Sequence, residues 1–189
     1  MSGASRGPGG RLTTPDLVVL SMLAERPMHG YELWRELEYR EVADWAAICR
    51  AQVYYSLAKL ARSGLIRPQA ARKRSSRPDR VVHAPTAAAR AALASALARE
   101  DWANQRPPNP FQTWLALSLR ARKSDRRSLV VARRSFLLSQ VEKEEKTLVA
   151  IRLDKGPMIP IALAMVELAI RQFRLELEWL EELGPRIAP

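Results

Sequence analysis

Apolar residues recur three and four positions apart along most of this 189-residue chain, the period of helices with one buried face. Leu17, Leu20 and Ala24 mark the first such face. Thr14 is placed to cap that helix, Pro15 to occupy its first position and Asp16 to complement its dipole, and Pro27 ends it. His29-Gly30-Tyr31-Glu32-Leu33 opens a second helix with Leu33 and Leu37 inward, followed by an irregular stretch around residues 44–48. A third runs from Arg50 to Arg62. Val53, Leu57 and Leu60 form its buried stripe, and Gln52, Tyr55, Lys59 and Arg62 form the opposite face, with the small Ala51 and Ala58 between them. Ser63-Gly64 stops it, Leu65-Ile66 begins a strand, and a hairpin returns through Arg80-Val81-Val82-His83. Thr86 then caps an alanine-rich helix reaching about Arg99.

Prolines at 107, 108 and 110 exclude regular structure after Asn104, and the remainder reads as wholly helical. Asn109 caps a helix from Phe111 to about Arg122, Ser124-Asp125 begins a long one to about Leu153, and the last runs from Ile161 to Leu183, stopped by Gly184-Pro185. That last helix is apolar on two sides. Ile161, Met165, Leu168, Leu175 and Trp179 follow one heptad-like seam, interrupted only by Gln172. Leu163, Val166, Ile170, Phe173, Leu177 and Leu180 follow another. One seam suffices for packing on the chain's own helices, so the first is expected to pair with a second subunit.

Charge sharpens the first half. Net charge is +11, with 15 Lys and Arg against 8 acids in residues 1–93 and 16 against 12 in residues 94–189. The hairpin alone holds Arg67, Arg72, Lys73, Arg74, Arg77 and Arg80 against the single acid Asp79. A short amphipathic helix followed by a basic ribbon is how a winged helix-turn-helix module grips a duplex. Cys49 is the only cysteine, so no intrachain disulfide forms; it is expected as a small buried filler in a reducing compartment. Residues 1–11 are rich in Gly, Ser and Arg with no hydrophobic centre, the pattern of a disordered tail rather than a secretory signal. No apolar run reaches the roughly 18–20 residues that span a bilayer.

Catalysis finds little support. Two histidines, no metal-ligand spacing, no Gly-rich phosphate loop and no nucleophile motif argue against an enzyme, a metal site or a cofactor. Trp102, Trp114 and Trp179 are candidates to line an aromatic ligand pocket, although aromatic residues at helical spacing serve equally as core.

Taken together, Pro27-Met28-His29-Gly30-Tyr31-Glu32-Leu33, Gln52-Val53-Tyr54-Tyr55-Ser56-Leu57 with Leu60, Gly64, Leu65 and Ile66, and Thr86 with Arg90 and Leu93 resemble the PadR family of bacterial transcriptional regulators. The ending Glu178-Trp179-Leu180-Glu181-Glu182-Leu183 is similar to that of its longer members. The chain departs from the common pattern at Tyr55, where many relatives carry proline, and at His83 and Ala89. The resemblance implies a mainly α protein. A disordered tail over 1–11 precedes a winged helix-turn-helix domain over 12–103, with three helices and a two-stranded wing, then a linker over 104–110 and a helical dimerisation domain over 111–189. It also implies a cytoplasmic, nucleoid-associated homodimer that binds an inverted-repeat operator in double-stranded DNA, usually as a repressor. In some members a small aromatic or drug-like effector releases the DNA.

Within that frame, Gln52 and Tyr55 are expected at base edges and Tyr54 at the groove border. Lys59, Arg62, Arg72, Lys73, Arg74 and Arg77 are expected at phosphates. His29 and Gly30 read as structural, with Tyr31 filling space behind the reading helix. The alternative is a basic winged-helix module that binds a protein or RNA partner without a ligand response.

Overall fold

The computed structural model describes residues 11–69, 81–106 and 108–187, which divide between Gln105 and Arg106 into two compact units. Unit one contains α1 (Thr14–Glu25), β1 (Met28–His29), α2 (Gly30–Tyr39), α3 (Val42–Ala46), α4 (Arg50–Arg62), β2 (Ile66–Gln69), β3 (Val82–Pro85) and α5 (Ala87–Leu97). A 3-10 turn at Glu100–Trp102 follows. Unit two contains α6 (Pro110–Leu117), α7 (Lys123–Leu153) and α8 (Ile159–Ile187). The hairpin residues Arg72, Lys73, Arg74, Arg77 and Arg80 lie outside the described residues, as does the tail before Arg11.

Helix α1 is the centre of unit one rather than an amphipathic cover. Leu17, Val18, Val19, Leu20, Met22 and Leu23 are all buried, a pattern that only a helix surrounded by other elements adopts. Ala24, expected inward, is exposed. Around α1 pack Leu33 and Leu37 of α2, Val53, Leu57 and Leu60 of α4, and Ile66 of β2. Thr86 closes the layer: its hydroxyl accepts from the Ala89 amide at 3.2 Å and reaches the carbonyls of Gly64 and Leu65 at 3.1 Å.

Four local features differ from the sequence expectation. The sheet has three strands in the order β1-β3-β2, because Met28 and His29 pair antiparallel with His83 and Val82. Two residues are too few to show a strand period. Residues 42–46 form a short helix, bounded by Glu41 and Ala47 in the left-handed region at φ 49° and 50°. Helix α6 ends at Leu117 and tightens into a 3-10 turn at Ser118–Arg120. Helix α8 runs through Gly184-Pro185 to Ile187; the proline ring clashes with both the N–H and the Cβ of the residue before it, and Gly184 lacks the Cβ.

One carboxylate joins the start of α1 to α4. Asp16 is fully buried. Its Oδ2 accepts from the Thr13 amide at 2.8 Å, the Thr13 hydroxyl at 2.8 Å and Lys59 Nζ at 2.5 Å. Burial alone would push this acid upward; the hydrogen bonds from Lys59 and Thr13 outweigh it and hold the carboxyl below its ordinary value. The buried Ser56 hydroxyl adds to this lowering without reaching Oδ1 in hydrogen-bond geometry, so Oδ1 has no partner.

Lys59→Ala, which strands this charge, is expected to lower the unfolding free energy by on the order of 3 kcal/mol at neutral pH, measured by urea denaturation. A carboxyl whose folded value is depressed stabilises the fold above its unfolded value and loses that contribution as pH falls through the folded one. Without Lys59, burial raises the carboxyl of the variant, so its deficit relative to the parent is largest near neutrality, narrows as pH falls through that raised value, and levels off below the parent's depressed one, which lies under 3.8. A deficit that does not change over this range contradicts the pairing.

Candidate nucleic-acid interface

Helix α4 owes its exposed face to its own sequence. At about 100° per residue, Val53, Ser56, Leu57 and Leu60 occupy the inner side, and all are buried. The exposed arc runs from Arg50 and Ala61, which border the buried side next to Leu57, through Tyr54 to Ala58, Ala51, Arg62 and Tyr55, which lie opposite it, and all are exposed. Three alanines on that arc leave the backbone accessible between two arginines and two tyrosines. Tyr55 is 66% exposed and Tyr54 40%.

Two residues expected on this face are engaged elsewhere. Lys59, assigned to a phosphate, turns its Nζ onto buried Asp16. Gln52, assigned to a base edge, bends back along the helix: its Oε1 accepts from the Cys49 amide at 2.9 Å, capping α4 and leaving only the amide nitrogen to donate outward. Both sit on the flank between the buried and outer arcs, which a helical-face reading of the sequence groups with the outside. Cys49 is exposed rather than a buried filler, because it precedes the first turn of α4 and takes no part in the stripe.

Tyr54 is the residue the fold fixes most firmly here. An added Cβ at Gly30 would lie 2.9 Å from its Cε1 and 3.3 Å from Leu57 Cδ1, so the absence of a side chain at Gly30 makes the room in which the Tyr54 ring lies. The Arg50 guanidinium stands over the same ring, 5.6 Å from its centroid. Tyr31, expected to fill this space, is instead half exposed, lies parallel to the His29 ring and accepts from Arg35 at 3.5 Å. His29 caps α2, its Nδ1 accepting from the Glu32 amide at 3.1 Å. Burial pushes His83 below the ordinary histidine range, leaving it neutral within β3. Helix α2 is braced against α1 by Arg40, which donates to both oxygens of Glu25 at 2.9 and 2.7 Å and to Glu36 at 2.9 Å. Arg67 extends the cationic face onto β2, where it is exposed. Arg50 was not singled out from sequence; its place at the first helical position is the signal that identifies it.

Unit two presents the second surface. Leu163, Ile170, Phe173, Leu177 and Leu180 face inward, wholly or partly buried, and Phe173, Leu177 and Leu180 belong to the cluster around Phe111 and Leu137. Ile161, Met165, Leu168 and Leu175 are between 42% and 65% exposed. Trp179, grouped with them by heptad spacing, turns into the unit's own core and meets Phe111 edge-on at 6.4 Å. Trp114 also stacks on Phe111, at 5.3 Å. Trp102 belongs to unit one, where its indole donates to the Ala96 carbonyl at 2.8 Å and lines a shallow cavity of about 300 Å³ with Arg11 and Arg99. Among the described residues, no group of three His, Cys, Asp or Glu side chains is placed to hold a metal ion, and no helix is long and apolar enough to cross a membrane.

Residues 19–95 match the sequence profile of the transcriptional regulator PadR-like family. The fold is similar to that of Bacillus subtilis PadR in complex with operator DNA, with a TM-score of 0.72 at 15% identity over 93% of this chain and 99% of that one. Bacillus subtilis PadR in complex with p-coumaric acid gives 0.72 at 15% identity over 94% and 100%. A PadR-like regulator from Bacillus cereus gives 0.66 at 13% identity over 93% and 98%. At these identities the likeness is one of fold: a winged helix followed by long C-terminal helices. No curated protein matches the sequence.

Gly30→Ala is expected to displace the Tyr54 ring and cost about 1–2 kcal/mol. Tyr54→Ala in the same background should return part of that cost, because the clash partner is gone. A double-mutant cycle in urea reads the coupling; additive effects would show that the two residues do not touch.

Proposed function

We propose, for a chain that belongs through residues 19–95 to the PadR-like family of transcriptional regulators, a homodimeric repressor that binds an inverted-repeat operator. The observation that carries this reading is the outer arc of α4, a braced helix with two arginines and two tyrosines over an alanine floor. A helix of that surface fits the major groove, where tyrosine and arginine meet base edges and phosphates. Arg62 and Arg67, with Arg72, Lys73, Arg74 and Arg77 of the hairpin, supply the phosphate contacts. Tyr54, Tyr55 and the free amide of Gln52 face the groove. That a protein of the same fold has been solved with operator DNA supports this assignment. Such a reader acts in the cytoplasm, at the nucleoid.

Dimerisation rests on α8. The stripe Ile161, Met165, Leu168 and Leu175 is apolar but for Gln172 within it and is uncovered by the unit's own helices, and a two-fold partner would bury it while placing two reading helices on successive half-sites. A small aromatic effector completes the reading. Bacillus subtilis PadR has been solved with p-coumaric acid, and on this chain the Trp102 cavity combines an aromatic wall with two arginines.

Duplex binding should weaken steeply with salt, the logarithm of affinity falling by about 0.9 per phosphate contact for each logarithmic unit of salt. Arg62→Ala should weaken all sequences alike and lower that slope by about one per half-site, measured by fluorescence anisotropy across a salt series. Purified protein with no preference among duplexes would end the regulator reading in favour of a protein or RNA partner.

For the dimer, light scattering should give twice the chain mass at micromolar concentration. Leu168→Glu with Leu175→Glu should weaken self-association by roughly a hundredfold or more while preserving helical circular dichroism. A parent chain that stays monomeric rules out the α8 interface.

A further inference from the structure

Arg50 occupies the first position of α4, at the positive end of the helix dipole, where a cation is unfavourable and an acid is the stabilising choice. No acid stands in that first turn, and among the described residues no carboxylate pairs with Arg50. Helix stability therefore gives no reason for an arginine here. The side chain is nevertheless held. Its guanidinium lies over the ring of Tyr54 one turn further on, an attraction between cation and π-face, and that ring rests in the space left by Gly30. The series Gly30, Tyr54, Arg50 steadies a planar, five-donor group at the leading end of the exposed arc.

Resting on the reading of α4 as a groove helix, we infer that Arg50 is the residue that selects sequence. It donates in bidentate fashion to O6 and N7 of one guanine in each half-site, with Tyr54 as its positioning residue. Three facts converge on it. The N-terminal residues of a groove helix are those that meet base edges. The guanidinium fork matches the two major-groove acceptors of guanine and of no other base. Gln52, the competing reader from sequence, has its carboxamide oxygen committed to the Cys49 amide, while Ala51, Ala58 and Ala61 on the same arc let the backbone approach.

The test starts from the full chain and a randomised duplex library. The wild type should enrich a two-fold-related motif with one invariant guanine per half. Replacing that guanine by 7-deazaguanine, which lacks the N7 acceptor, should weaken the wild type by roughly ten- to a hundredfold and leave Arg50→Ala unaffected. Arg50→Lys should keep the salt slope and lose the guanine preference, which a simple charge role would not do. Thermal denaturation should place Arg50→Ala at or above the parent's melting temperature, since the dipole conflict is removed. If Arg50→Ala enriches the same motif, or 7-deazaguanine costs both proteins equally, the assignment to Arg50 is overturned while the operator reading stands. If the wild type enriches no motif, both fall together.

Discussion

The winged-helix unit depends on one buried ion pair. Asp16 sits at the start of the central helix with no exposed surface, and Lys59 reaches it from the middle of α4 across 43 positions of sequence. The hydrophobic contacts around α1 fix which faces meet, but apolar contacts are non-directional and tolerate sliding. A buried carboxylate with three donors does not: moving α4 along or about its axis would strand a charge. The rotation of α4, and so the set of residues on its outer arc, is tied to this pair. That it specifies geometry more than it adds stability follows the general behaviour of buried pairs, whose desolvation offsets much of their attraction.

Much of this arrangement was legible in the sequence, for physical reasons that also explain what was not. The buried stripe of α4, the caps at Thr86 and Asn109, and the two seams of α8 follow from periodicity and cap chemistry, which are local. Lys59 was misassigned because local period shows only that it lies off the apolar stripe; the acid that claims it is 43 residues away. Gln52 was read outward because its capping role emerges only once Cys49 is known to precede the first turn. Tyr31 is exposed, and the space at Gly30 holds the Tyr54 ring instead, because the contact that decides between them is tertiary. Trp179 sits on the exposed heptad by count, yet its ring is long enough to turn inward onto Phe111.

The second unit shows a complementary limit. Two antiparallel helices about 45 Å long with one short helix offer a single shared seam, and that seam is filled by Leu137, Leu180, Leu183 and their neighbours. Arg133 completes it, bound to both oxygens of Glu176 at 2.8 Å and set over the rings of Phe111 and Phe136. Among the described residues of the unit, none covers Leu168 and Leu175, which stay exposed. An apolar stripe of this length left in water is unfavourable, and the proposed pairing with a symmetry mate would remove the conflict without any new element.

The start of α4 departs from the choice that helix stability alone would make. Helix α1 opens with Asp16 and α2 with Glu32 in the first turn, as the dipole favours. Helix α4 opens with Arg50 and uses a neutral glutamine as its back-bonding cap, where glutamate would serve the dipole better. A carboxylate at that position would stand at the leading end of the groove helix and repel the phosphates on either side. The neutral cap keeps the hydrogen bond and removes the repulsion. For Arg50, two positions earlier, the negative potential of a bound duplex would offset the dipole's opposition if α4 is the groove helix proposed above. On the proposed reading, the first turn of α4 carries a charge that its own dipole opposes, and a bound duplex would supply the compensating potential.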